Sequence, residues 1–115
     1  MNLNINMELN SDQKAFVNSA KQFADEYIAK NALEWDRNSK FPRDVIKKSA
    51  EYGFAGIYVP DEYGGAGLSR LDAALIFEEL AYACPSTSAF LSIHNMTASM
   101  LSQFGSKEIK DKYLT

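Results

Sequence analysis

Between Glu79 and Lys107 the chain carries no aspartate, glutamate, lysine or arginine. An uncharged run of that length has few fates: it crosses a membrane, or it is covered by protein. Pro85 near its start, and the serine, threonine, asparagine and glutamine side chains along it, argue against insertion into lipid. What remains is a helix buried in a larger assembly. A sharper alternative is that the small residues Ser88, Ala89, Ser92 and Asn95 leave one face open for a ligand, because small-molecule sites are apolar hollows with a few polar groups. Spacing alone leaves both readings open.

The flanking segments read as further helices. Asp12 to about Arg37 repeats apolar residues at helical spacing (Phe16, Ala20, Phe23, Tyr27), with Asn10 or Ser11 as cap and Gln13 placed to reach back to Asn10. Phe41-Pro42 opens a second helix, with proline expected at its first position, Val45, Ile46, Ser49 and Ala50 inward, and Gly53 as the stop. Phe54 to Pro60 has no clear period and reads as a buried connector. Asp61 to Gly67 is a turn whose glycines permit positive φ. Ser69 and Asp72 form a capping pair for a third helix, Arg70 to about Ala83, apolar nearly all round and therefore central. The uncharged run is the fourth, from Pro85-Ser86 to about Phe104, stopped by Gly105, and Ser106 caps a short fifth. Short connections make the expected fold all-α, an antiparallel bundle of about five helices.

Composition closes off other classes. At 115 residues the chain is one domain, too short for separate cofactor and substrate lobes. A net charge of −3 gives no basic footprint for nucleic acid. The single cysteine, Cys84, makes no internal disulfide. Met1 to Asn6 shows neither the pattern of a secretory signal nor the arginines of a transit peptide, so a cytoplasmic location is expected.

No complete catalytic constellation is legible. The lone His94 reads as structural or hydrogen-bonded, because a zinc site needs several ligands, so no metal is expected. Cys84 and His94 have no orienting acid between them. Glu78 and Glu79 are neighbours and point apart on a helix. Gly64-Gly65-Ala66-Gly67 follows no strand and has Arg70 where a third phosphate-loop glycine would stand, so a turn explains it better. Trp35 reads as a packing residue with a wet edge.

Three stretches carry a resemblance. Ala32-Leu33-Glu34-Trp35-Asp36-Arg37 with Phe41-Pro42 resembles the first interhelical junction of acyl-CoA dehydrogenases. Gly53-Phe54-Ala55-Gly56-Ile57-Tyr58-Val59-Pro60-Asp61-Glu62-Tyr63-Gly64-Gly65-Ala66-Gly67-Leu68 is similar to that family's most recognisable amino-terminal stretch, and Phe104 to Leu114 matches the end of the domain. Ser69-Arg70-Leu71-Asp72 and Ser92-Ile93-His94-Asn95-Met96 look most like the isobutyryl-CoA, short branched-chain type.

The resemblance implies a larger enzyme of three parts, in which residues 1–115 are the amino-terminal helical domain before a middle β domain and a carboxyl-terminal bundle. Such an enzyme takes the α-hydrogen of a short or branched acyl-CoA as a proton and passes the β-hydride to FAD. An electron-transfer flavoprotein then reoxidises the flavin, in fatty acid or branched-chain amino acid catabolism, usually within a homo-oligomer. The catalytic base and most flavin contacts are expected outside this chain, so no catalytic residue is assigned here. Alone, the chain is expected neither to hold FAD nor to oxidise an acyl-CoA. The family's fourth helix lines the far end of the acyl cavity, which by position from Gly105 implies Ser88, Ala89, Ser92 and Met96. The alternative is a stand-alone helical binding module without catalysis. In either case Phe77, Phe90, Ile93, Met96 and Met100 are expected to leave an apolar face that favours self-association.

Overall fold

The computed structural model describes residues 8–114. Expectations placed on Met1 to Asn6 and on Thr115 lie outside the described residues. Among those described there are six α-helices and no strand: α1 (Ser11–Phe23), α2 (Ala32–Arg37), α3 (Arg43–Glu51), α4 (Arg70–Ala83), α5 (Pro85–Phe104) and α6 (Lys107–Tyr113). The expected all-α bundle is what forms, with one helix more.

The extra helix comes from a break in the first segment. A capping box starts α1, with Gln13 N–H donating to Asn10 Oδ1 at 2.8 Å and Asn10 N–H to Gln13 Oε1 at 3.1 Å. The α-period then widens into a π-helical turn, Ala24–Ile28, before a turn through residues 29–31 separates α2. The single helix expected from Asp12 to Arg37 is therefore two. The physical reason lies at Phe23 and Ile28, both wholly buried. Five positions apart, they would stand about 140° apart on an α-helix. The wider turn, closed by Ala29 N–H on the Ala24 carbonyl at 2.9 Å, brings both to the core.

Pro42 also differs from expectation. It stands just before α3 at the N-cap, one position earlier than read from sequence. Gly53, at φ +79°, stops the helix as expected.

Phe54, Ile57 and Val59 are buried, so the stretch from Phe54 to Pro60 is the expected buried connector. It is zipped to the glycine turn by main-chain bonds: Ala66 N–H to the Gly56 carbonyl (2.9 Å), Gly67 to Val59 (2.9 Å) and Leu68 to Ile57 (2.7 Å). Gly65 allows this approach, since a Cβ there would lie 2.0 Å from the Val59 carbonyl oxygen.

Helix α4 is central, packed on both α1 and α5. Its inner face is Ala73, Ile76 and Leu80, and its start is the expected box, with Ser69 and Asp72 exchanging bonds. Its opposite face is bare: Leu71 and Tyr82 are 59% and 94% exposed. The core that α4 closes holds Phe23, Ile28, Trp35, Phe54, Ile57 and Leu91, with Phe23 meeting Tyr52 and Phe54 at ring-centroid distances of 4.9 and 5.6 Å. Burying side chains of this size contributes about 1.5–3 kcal/mol each.

Candidate functional site

Helix α5 begins with Pro85 in its first turn, where no main-chain N–H is needed, and runs to the expected stop at Gly105. At about 100° per residue, Ser92, Met96, Ala89, Met100 and Ile93 follow one another around one outer stripe. Ala89, Ile93, Met96 and Met100 are exposed and Ser92 is half-buried. Ser88 stands at the inner edge, buried, with its hydroxyl donating to the Phe77 carbonyl of α4 at 3.0 Å. The structure thus brings Ala89, Ser92 and Met96 onto one open face and puts Ser88 in the seam beside it.

Asn95 does not share that face. It is wholly buried, and its carboxamide is consumed: Nδ2 donates to the Phe54 carbonyl (2.7 Å) and the Leu91 carbonyl (2.9 Å), while Oδ1 accepts Ile57 N–H (2.7 Å). The reading that placed Asn95 beside Ser88, Ala89 and Ser92 around a ligand is corrected on this point. A further tie runs from the Arg70 guanidinium to Ser99 Oγ at 3.3 Å, with the same guanidinium 3.8 Å from the Tyr58 ring centroid. Neither the carboxamide bolt nor this stacked arginine carries a local sequence signal.

Two hollows flank α5. One, of ≈ 430 Å³, lies between Trp35, Phe41, Ile46, Cys84, Thr87 and Phe90, with Phe41 and Phe90 edge to face at 4.8 Å. The other, of ≈ 450 Å³, is bounded by Gly56, Gly65, His94, Thr97, Leu101 and Tyr113. His94 is exposed there, rather than held inside the bundle. Ser88, Ala89, Ser92 and Met96 border neither hollow, so their stripe is an open wall.

The sequence profile described as "Acyl-CoA dehydrogenase, N-terminal domain" matches residues 10–115. The chain belongs to the acyl-CoA dehydrogenase family. Among its relatives is the mitochondrial isobutyryl-CoA dehydrogenase of Dictyostelium discoideum, 49% identical over 96% of this chain and 27% of that protein. A solved structure described as an electron transferring flavoprotein of Acidaminococcus fermentans superposes with a TM-score of 0.87 at 37% identity, over 96% of this chain and 29% of its own. The FAD complex of PigA gives 0.86 at 33% identity, over 96% and 30%. This acyl-CoA dehydrogenase domain therefore spans under a third of the length of the relatives it matches.

FAD, implied by the family, has no cradle among the described residues. Among the described residues every buried side-chain nitrogen and oxygen has an internal partner, and at Gly65 the Val59 main chain occupies the space a phosphate would need. Among them, too, no three His, Cys, Asp or Glu side chains cluster to hold a metal, and no helix is long and apolar enough to cross a membrane.

The perturbed titrating groups stand off α5. The Glu26 carboxylate, and then the Tyr52 hydroxyl, push the Tyr27 phenol up to about 12. The Ser69 hydroxyl holds the Asp72 carboxyl below its usual range. Glu51 and Asp111 raise Lys48 and Lys107, with which they form exposed ion pairs. The outer stripe of α5 presents methyl, hydroxymethyl and thioether groups without formal charge.

Proposed function

We propose that this chain is the amino-terminal helical domain of an FAD-dependent acyl-CoA dehydrogenase that desaturates a short or branched acyl-CoA at its α,β carbons. Ala89, Ser92 and Met96, with Ser88 at the edge, would wall the end of the acyl cavity. The observation that carries the reading is the open, uncharged stripe on α5 in a chain 49% identical to an isobutyryl-CoA dehydrogenase. A saturated acyl tail presents only C–H bonds, so a wall of this kind selects by length and branching rather than by charge. When bound, FAD supplies the hydride acceptor. Its contacts and the proton-abstracting base are assigned to the middle and carboxyl-terminal domains of the full-length protein, with an electron-transfer flavoprotein as oxidant and a homo-oligomer as the assembly. The location proposed is cytoplasmic, and cell fractionation tests it against the mitochondrial location of the Dictyostelium relative.

Turnover of the full-length protein with a panel of acyl-CoAs and an artificial electron acceptor tests the function. Isobutyryl-CoA should be among the best substrates. Equal inactivity across the panel would leave the domain as a helical binding module.

A further inference from the structure

The inner face of α5 is unusual for a central helix: its buried residues are Thr87, Ser88, Leu91, Asn95, Ala98 and Ser99. Only Leu91 is bulky. Helices normally fix their rotation against neighbours by large side chains seated in grooves. A face of small residues fixes it weakly, because small side chains leave shallow ridges that slide past one another. Four directional bonds from three residues stand where bulk is lacking. Ser88 is tied to α4 at Phe77, Asn95 to the connector at Phe54 and Ile57, and Ser99 to Arg70 at the start of α4. Asn95 bonds directly to the connector main chain, and it precedes Met96 directly and follows Ser92 by less than one turn.

We infer that Asn95 is a positioning residue for the acyl-CoA substrate: by bolting α5 to the Phe54–Ile57 main chain, it sets the rotation of the helix and hence the depth at which Ser92 and Met96 close the acyl cavity. Asn95 touches no substrate. Hydrogen bonds fall off steeply with angle, so this bolt resists a small rotation better than the shallow contacts around it. The inference rests on the acyl-wall reading above.

The test uses the full-length protein and compares kcat/KM for isobutyryl-CoA and hexanoyl-CoA. Asn95→Ser keeps a hydroxyl for the Leu91 carbonyl within its own helix but loses both connector bonds. Freed from the bolt, the wall gives way to the longer chain. The hexanoyl-to-isobutyryl ratio should rise by about tenfold, the scale on which one methylene is discriminated in an apolar pocket. Ser49→Ala is the control, since Ser49 is buried and its hydroxyl is bonded within α3, to the Ile46 carbonyl. It should leave the ratio at its wild-type value. If Asn95→Ser loses activity on both substrates in equal proportion, Asn95 is merely structural and the inference is overturned. Should that variant fail to fold, Ser99→Ala, which cuts the Arg70 tie together with the Gln103 bond within α5, decides: a smaller shift in the same direction supports the inference, and an unchanged ratio overturns it. A wild-type protein that turns over neither substrate overturns the acyl-wall reading itself, an outcome separate from a wild-type enzyme whose ratio ignores Asn95.

Discussion

Asn95 Oδ1 accepts the main-chain N–H of Ile57 at 2.7 Å, joining α5 to a connector 38 positions earlier in sequence. Both groups are buried, so no water replaces the bond if it is lost. In Asn95→Leu, Ile57 N–H and the Phe54 carbonyl would each lose this partner. An unsatisfied buried group costs about 1–3 kcal/mol, so the variant should lose on the order of 3 kcal/mol in urea denaturation. A loss under about 0.5 kcal/mol, the range of ordinary surface changes, would show that the bolt bears no load.

The Ser69–Asp72 box makes a pH-dependent prediction. Ser69→Ala should cost about 1 kcal/mol, the usual worth of such a cap. The Asp72 carboxyl is held low by Ser69 in the fold. Its contribution is present above the ordinary aspartate pKa and is lost as pH falls through the depressed folded value. The gap between wild type and Ser69→Ala should therefore be full at neutral pH and narrow in acid, where the Asp72 N–H bond to Ser69 Oγ remains. A gap that widens in acid contradicts the assignment.

Two glycines of one turn should respond differently to alanine. At Gly65 a Cβ would lie 2.0 Å from the Val59 carbonyl oxygen, whereas at Gly67 (φ +59°) nothing lies within 4 Å. Gly67→Ala meets only the left-handed backbone cost of about 1–2 kcal/mol. Gly65→Ala must push the connector away, which costs about 3 kcal/mol or more. Thermal denaturation of the pair gives the order, and the reverse order would mean the zipped connector is wrong.

Ala89→Leu separates wall from core. Ala89 is exposed on α5, so the change should leave the stability of this chain within about 0.5 kcal/mol. In the full-length protein the added bulk should weaken longer acyl-CoAs more than the shortest, by about 1–3 kcal/mol where the cavity is packed. Unchanged relative kcat/KM across acyl lengths would remove Ala89 from the wall.

Ile93, Met96, Met100 and Phe104 are 57%, 48%, 56% and 81% exposed, and Phe90 is exposed beside them, while Phe77 is half-buried against the core. Contiguous apolar patches beyond about 300–600 Å² are uncommon on monomers. The isolated chain should therefore self-associate at high micromolar concentration in sedimentation velocity. Ile93→Asp with Met100→Asp should return it to monomer. A wild-type chain that stays monomeric over that range contradicts the prediction.

Much of this was legible locally. Asn10 with Gln13, Ser69 with Asp72, Gly53 and Gly105 each act within three or four residues, and each ends or begins a helix where expected. The outer stripe of α5 is legible in part, Ala89 and Ser92 through helical spacing and Met96 through the resemblance to the family. What escaped depends on distant partners. Ala29, Lys30 and Asn31 include no helix breaker, and the break there answers to the burial of Phe23 and Ile28 together. Asn95 reads as a polar residue among small ones, and only the connector folding beneath it shows that its carboxamide is already engaged.

The π-helical turn at Ala24–Ile28 has a consequence for how chain length can vary. It holds one residue more than an α-turn over nearly the same axial distance, so it works as a one-residue vernier in the first helix. Deleting a single residue there would let the α-period continue unbroken while keeping an apolar pair in the core. A one-residue deletion at Ala24–Ile28 should thus be absorbed locally, whereas the same change between Ala89 and Met96 in α5 would turn them away from the face they now share.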